Sequence, residues 1–368
     1  MSRMAEIQEQ GWWGRSQAMA APELIGLEQI GSSHGRCYTQ VTALSGDGRW
    51  AVGMSADADD VLHLRAFVWS AERGLSSLGS LNGGRYSTAE GISGDGQVIV
   101  GTAEDGALAG ADRAFRWTRQ SGLQSLGTLN YGRYSQAFAC SGDGQVVVGD
   151  AADGAAGQAC RAFRWTPGGG LRSLGTLREG LSSHACAVSA DGRIVVGYAD
   201  DGTCAHARRA VRWSEEDGLQ SLGTLNGGHY AMATAISADG RSIVGVAGDG
   251  AAGGALRAFV WRAESGMRSL GTLRGGQFSR ACAVSGDGTL VVGVASDGRD
   301  DEQERGFVWT AGGGMRTVEA WLYEQALAAA AVPVVQVSGI SADGRVLVGQ
   351  LDGERAFIAG SRPHGPAG

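Results

Sequence analysis

The sequence predicts an all-β fold: a seven-bladed β-propeller closed by an N-terminal strand that completes the last blade. Three observations carry this prediction. A Ser-Gly/Ala-Asp-Gly motif starts at Ser45, Ser93, Ser141, Ser189, Ser237, Ser285 and Ser341, with five intervals of 48 residues and a last one of 56. An Arg-Ala-Phe-x-Trp motif follows each copy, beginning at Arg65, Arg113, Arg161, Arg209, Arg257, Arg305 and Arg355, with Val211, Gly306 and Ala359 as variants. The two ends are complementary: the seventh unit stops after Arg355–Ala359 without a fourth strand, and Leu24–Ile30 is a surplus strand of that type. Pairing them closes the ring and removes two exposed sheet edges, whereas an open solenoid would need polar caps.

Each unit reads as four short strands, a to d, within the period of a propeller blade. In the unit Ser87–Leu129, strand a is Thr88–Ser93 and Gly94-Asp95-Gly96 makes a tight turn. Strand b is the β-branched run Val98–Ala103, followed by a loop from Glu104 to Asp112. Strand c is Arg113–Thr118, and a turn at Ser121-Gly122 leads to strand d, Leu123–Leu129. Small residues two and four before each serine, such as Gly91 and Ala89 or Ala139 and Ala137, suit innermost strands crowded around an axis. The Phe and Trp of strand c lie two apart, hence on one face, where they fill the wider outer space between blades.

The propeller spans residues 23–360, between an N-terminal tail (1–22, with Trp12 and Trp13) and a C-terminal tail (361–368). The period breaks once inside it. After Val318 a run of helix formers, from Glu319 through the alanines to Ala331, replaces Leu-Gly-Thr-Leu and stops at Pro333. A helical insert over about 318–332 is expected on the face where blades connect.

Composition narrows the function. The chain carries 63 glycines in 368 residues, which fits many tight turns, and 43% hydrophobic residues, too many for disorder. Its net charge is −7 and every basic residue is arginine. No basic run favours nucleic acid, and no apolar run reaches the roughly 18 residues of a membrane span. Met1–Ala20 lacks an apolar signal core, so no secretory signal is expected. The six cysteines form no Cys-x-x-Cys pair and the six histidines show no paired spacing, so packed, reduced thiols and no metal or other cofactor are expected. A disulfide between neighbouring blades stays open as a second reading.

The unit Leu-Gly-Thr-Leu … Ser-x-Asp-Gly-x-x-x-Val-Gly … Arg-Ala-Phe-x-Trp, over roughly residues 24–359, resembles the HAF repeats of bacterial extracellular repeat proteins. That family is named for His-Ala-Phe, and arginine holds the first position in all seven copies here. The final unit, with its helical insert and Val337–Gly349, is similar to that family's C-terminal ending. The resemblance implies bacterial origin, an extracellular or surface setting, and no catalytic residues.

In a propeller the d-to-a and b-to-c connections share one face, and loops on a rigid scaffold carry function. The d-to-a loops hold an aromatic series seven before each serine, Tyr38, Tyr86, Tyr134, Tyr230 and Phe278, beside Arg36, Arg85, Arg133, His229 and Gln277. Five before each serine comes a ring that does not repeat: Gln40, Thr88, Gln136, His184, Met232, Arg280 and Gln336. Candidate ligand-binding residues are therefore Arg36, Tyr38, Arg85, Tyr86, Arg133, Tyr134, His184, His229, Tyr230 and Arg280, with Trp321 from the insert. The competing reading packs the tyrosines between blades and leaves the polar ring solvated. The acidic b-to-c loops (Asp57, Asp59, Asp60; Glu104, Asp105; Asp200, Asp201; Asp297, Asp300, Asp301) match no calcium-loop motif and read as solvated Asp-Gly turns. The repeated strand-c arginine is expected to pair with a loop carboxylate or stack on an aromatic.

Two functions follow. One is a non-enzymatic module, expected as a monomer, that binds a glycan or protein ligand. The other is a hydrolase or lyase acting on a glycan or peptide at the channel mouth, with Glu90, His184 and Arg280 as its visible candidates. No nucleophile motif such as Gly-x-Ser-x-Gly occurs, and one inner-strand carboxylate does not make an acid–base pair.

Overall fold

The computed structural model describes residues 23–30, 38–56, 63–203, 207–299, 302–325, 333–351 and 355–362, with backbone alone for 23–30 and 361–362. The tails at 1–22 and 363–368 lie outside the described residues. Strands pair into seven four-stranded antiparallel sheets, one per blade. Six sheets run a-b-c-d in chain order; in the seventh, the N-terminal strand Glu23–Ile30 takes the outer place beside Arg355–Arg362. The pairing runs from Glu23 opposite Arg362 to Ile30 opposite Ala356, with a register shift between Ile25 and Glu28. The propeller thus reaches Arg362, two residues past the expected boundary.

The second blade shows how the repeat builds a sheet. Its strands are Ser87–Ile92, Val98–Asp105, Ala111–Thr118 and Gly122–Ser125. Strands b and c are longer than the sequence predicts, and strand d stops four residues earlier. Gly127, at φ +82°, turns the chain out of the blade, and Leu129 then bridges in parallel to Asp153 of the third blade. The Leu-Gly-Thr-Leu segment is therefore half strand and half crossover. Its last leucine is buried in the next interface, as Leu81, Leu129, Leu177, Leu225 and Leu273 all are.

Two crowding constraints explain the small residues. Every strand a carries a bulge, for example between Ala137 and Ala139. The strand-b glycine opposite it, Gly149, would place a Cβ 1.9 Å from the Gln136 carbonyl oxygen, and its six counterparts meet the same obstruction at 1.9–2.1 Å. Nearer the axis, the residue after each motif serine joins a circle of backbone hydrogen bonds. Gly94 N–H donates to Gly142, Gly142 to Ala190, Ala190 to Ala238, Ala238 to Gly286, Gly286 to Ala342 and Ala342 to Gly46, at 2.9–3.1 Å, and Asp47 completes the circle to Gly94 at 3.2 Å. A Cβ on Gly94 would lie 3.3 Å from the Gly142 oxygen, so only glycine or alanine fits. Each turn is fixed locally as well: Ser141 Oγ donates to Asp143 Oδ1 (2.6 Å) and accepts from Val146 N–H (2.9 Å).

The core lies between blades. Apolar clusters occupy every junction, two of them between the third and fourth blades; that between the first two blades joins Val52 and Ala66 to Leu81, Ala89, Ile99 and Phe115, with Trp117 at its rim. The strand-c phenylalanines are fully buried, as expected. Buried serines tie neighbouring blades together: Ser135 Oγ accepts from Ala114 N–H (3.0 Å) and donates to the Gly127 carbonyl (2.6 Å). The closing junction is apolar too, with Val41, Phe67 and Trp69 against Val346, Val348 and Ile358.

The insert forms a helix, Val318–Glu324, capped by the Thr317 hydroxyl; residues 326–332 of the expected helix lie outside the described residues. Trp321 and Leu322 pack with Val334, Val337 and Phe357 between the sixth and seventh blades. The same packing explains the Gly306 variant, since a Cβ there would lie 2.7 Å from Val334 Cγ1.

Two outcomes test this account. Deleting residues 1–30 removes a paired strand, so that variant should melt well below one lacking residues 1–20; equal melting temperatures would overturn the closure. Gly149→Ala should destabilise by roughly 3 kcal/mol or more in chemical denaturation, at the upper end for overpacking, because the obstruction is backbone.

Candidate functional site

Antiparallel order puts all d-to-a and b-to-c connections at one end of the ring. A buried aspartate locks each such pair in five blades. Asp105 Oδ1 accepts from Asn82 Nδ2 (2.8 Å) and Ala107 N–H (3.0 Å). Asp153 and Asp249 repeat this with Asn130 and Asn226, while Asp201 and Asp297 take Arg178 and Arg274. Of the acidic positions read from sequence as solvated, Asp105, Asp201 and Asp297 are buried and hydrogen-bonded, while Asp57, Asp59, Asp60, Asp300 and Asp301 lie outside the described residues. The strand-c arginines hold the same loops from the other side. Arg113 donates to the Arg133 carbonyl (2.8 Å), Arg161 to that of Leu181 (2.6 Å), Arg209 to that of His229 (2.8 Å) and Arg257 to that of Gln277. Their principal partner is thus a backbone carbonyl on the next loop. The expected carboxylate pairing holds for Arg209, 3.7 Å from Asp201.

On this braced face the predicted residues separate into three groups. Arg85, Arg133 and His229 are exposed; Arg85 is 76% exposed and 3.5 Å from Glu104. Tyr38, Tyr86, Tyr134 and Tyr230 are half-buried; the hydroxyls of Tyr38, Tyr86 and Tyr230 meet the non-repeating ring, and that of Tyr134 meets Cys160. The Tyr38 hydroxyl donates to Gln40 Oε1 (2.9 Å) and that of Tyr230 to Met232 Sδ. Burial, then the charges of Glu90 and Asp112, push the Tyr86 phenol above its ordinary pKa. Arg280 is half-buried, and its Nε has no hydrogen-bond partner among the described residues. Trp321 is a correction: at 6% exposure it packs the core beneath the insert and does not present its ring to a ligand. Arg36 lies outside the described residues.

Tyr131 was not singled out by sequence. It is fully exposed at φ +62°, on the loop that carries Arg133. Corresponding loops place Gly83, Gly227 and Gly275 at positive φ in that position, and Glu179 at φ +62°. A tyrosine there bears backbone strain without any packing gain, which points to function. The available signal was an aromatic standing where three other copies carry glycine and one carries glutamate.

His184 is the other departure. Its Nδ1 lies 2.6 Å from Asp150 Oδ2 and 3.6 Å from Cys160 Sγ, both on the third blade. Its ring stacks on Tyr198 at 4.4 Å, and Arg208 covers Tyr198 at 5.4 Å. Burial alone would lower the imidazole pKa; the Asp150 and Cys160 contacts outweigh it and raise the pKa to about 9. Among the described residues, Asp150, Cys160 and His184 form the one cluster whose ligating atoms could hold a metal. Sequence spacing hid them, because they sit on three different strands. The other described cysteines, Cys140, Cys186 and Cys282, are likewise unpaired, and burial pushes the thiols of Cys140 and Cys186 up to about 12.

Glu90 lies on an inner strand and accepts from the Thr88 hydroxyl at 2.9 Å. Burial raises its pKa above the ordinary 4.5, with the Thr88 hydrogen bond opposing. A carboxyl whose folded pKa is raised takes up protons on folding, so folding is penalised once the unfolded side chain ionises. Glu90→Gln should therefore melt higher than the parent at pH 7, and the gain should vanish as pH falls below 4.5. A gain independent of pH would contradict this.

No family model matches the sequence, and no curated protein matches it. Among solved structures the chain is similar to TolB from Acinetobacter baumannii, with 14% identity and a TM-score of 0.44 over 63% of this chain and 53% of that one. It is also similar to a TolB-type protein from Agrobacterium tumefaciens, with 14% identity and a TM-score of 0.45 over 65% and 81% of the two chains. The match spans about half of the Acinetobacter chain. At this distance neither likeness carries an argument, and the propeller assignment stands on the chain's own topology.

Proposed function

We propose that the chain is a non-enzymatic binding module that takes a glycan or protein ligand on the face bearing the d-to-a loops. The observation that carries this reading is Tyr131, fully exposed at positive φ beside exposed Arg133 on a loop braced by Asn130–Asp153 and Arg113. Exposed aromatic and arginine side chains on a rigid support combine contact area with directional hydrogen bonds. On the opposite face, the Ser-x-Asp-Gly turns spend their polar groups on themselves, so they offer less to a partner. The resemblance to HAF repeats accords with a surface role without catalysis. No specific observation favours the hydrolase or lyase reading: His184 is committed to Asp150, which leaves Glu90 without a placed catalytic partner.

Glycan arrays and a display library screened with the full chain would supply the ligand. Tyr131→Gly, Arg133→Ala and Arg85→Ala should each weaken its binding by about 1–3 kcal/mol. Arg193→Ala and Arg241→Ala, in turns of the opposite face, should leave it unchanged. Tyr131→Gly should also keep or raise the melting temperature, since glycine relieves the positive φ. Binding that survives the first three changes and is lost with the last two would place the ligand on the other face.

A further inference from the structure

We propose that Asp150, Cys160 and His184 form a binding site for a divalent transition metal of the zinc class at the junction of the third and fourth blades. Their ligating atoms all lie within 4.8 Å of one another. Thiolate, imidazole and carboxylate are the donor types zinc takes, and three protein ligands leave a fourth tetrahedral position for water or another donor. The spacing suits such an ion. Zinc bond lengths in a tetrahedron set sulfur and nitrogen ligands about 3.6 Å apart, and Cys160 Sγ lies 3.6 Å from His184 Nδ1. The Asp150 oxygen sits at hydrogen-bond distance from the same nitrogen, 2.6 Å, and has to retreat by roughly 0.7 Å to make room for the ion. The carboxylate oxygen and the sulfur both converge on one nitrogen. A relay of nucleophile, base and carboxylate would use the two ring nitrogens separately.

The repeat supplies an internal comparison. In each copy the same three positions come from strand b, the residue before the strand-c arginine, and strand a of the next blade. Other junctions fill them with Met54, Leu64 and Thr88, or with Val246, Leu256 and Arg280. Asp, Cys and His coincide at a single junction of the seven. The scaffold needs none of the three for folding, because the other blades close without them. The Tyr198 ring stacked on His184 fixes the imidazole plane, as outer-shell groups of metal sites do.

Metal binding would replace the proton between His184 Nδ1 and Asp150 and any proton on the Cys160 sulfur, so binding to the metal-free chain is accompanied by proton release.

The test titrates the full chain, stripped with chelator and desalted, with Co2+ and then Zn2+. One Co2+ per chain should bind with a sulfur-to-cobalt charge-transfer band and with release of protons, and Zn2+ should then displace it with no further proton release. Cys160→Ser should abolish the band. Asp150→Asn and His184→Gln should each weaken binding by more than the roughly tenfold that loss of an outer-shell partner costs, while Cys186→Ala keeps it. Melting of each metal-free variant separates loss of a ligand from loss of fold; if Cys160→Ser does not fold, Cys160→Ala takes its place. Absence of the band in the parent chain, or its survival without Cys160, would overturn the assignment and leave a hydrogen-bonded His–Asp pair bracing two blades.

Discussion

The backbone circle through Gly46, Gly94, Gly142, Ala190, Ala238, Gly286 and Ala342 is the constraint on which the rest of the structure depends. It fixes how closely seven inner strands approach, and so limits side chains on that turn to hydrogen or methyl. Closure makes the constraint cooperative. No blade can shift outward without lengthening hydrogen bonds on both sides and opening an apolar junction. The N-terminal strand matters for the same reason, since its pairing with Arg355–Arg362 turns a row of blades into a ring.

Outward from the axis, the demands on sequence relax in a definite order. Strand b requires glycine where the bulged strand a presents a carbonyl. The junctions require apolar bulk of fixed size, which Phe, Leu and Val supply. At the loop-bearing end the scaffold asks only for an aspartate clasp and an arginine brace. What remains there is free to vary, and the variation is concentrated at Tyr131, Arg85, Arg133 and the ring from Gln40 to Gln336. Rigidity beneath and freedom above suit recognition, because little loop ordering remains to be done when a ligand arrives.

Burial also separates groups of one chemical type. Cys140 and Cys186 are held as neutral thiols by their apolar surroundings, whereas Cys160 lies against a histidine and a carboxylate. Similarly, Asp105 and Asp153 are consumed by backbone and amide donors, while Asp150 meets an imidazole. Position along the strand decides which role a residue takes, since successive residues alternate between the two flanking junctions.

The sequence by itself determined the fold. Seven paired motifs, a 48-residue period and complementary ends dictate a closed ring of four-stranded blades, because the strand order and the turns that set it are local in the chain. It also marked the loop face, through positions that do not repeat. Tertiary structure alone decided that Leu126–Leu129 leaves strand d and that Trp321 is buried, since each depends on what the neighbouring blade presents. The strand-c arginines reach a carbonyl 20 residues on, and Asp150 and His184 meet from 34 residues apart. A motif search compares residues along one strand or one loop. Contacts made across a junction join strands of different blades, and only the closed ring brings those side chains within bonding distance.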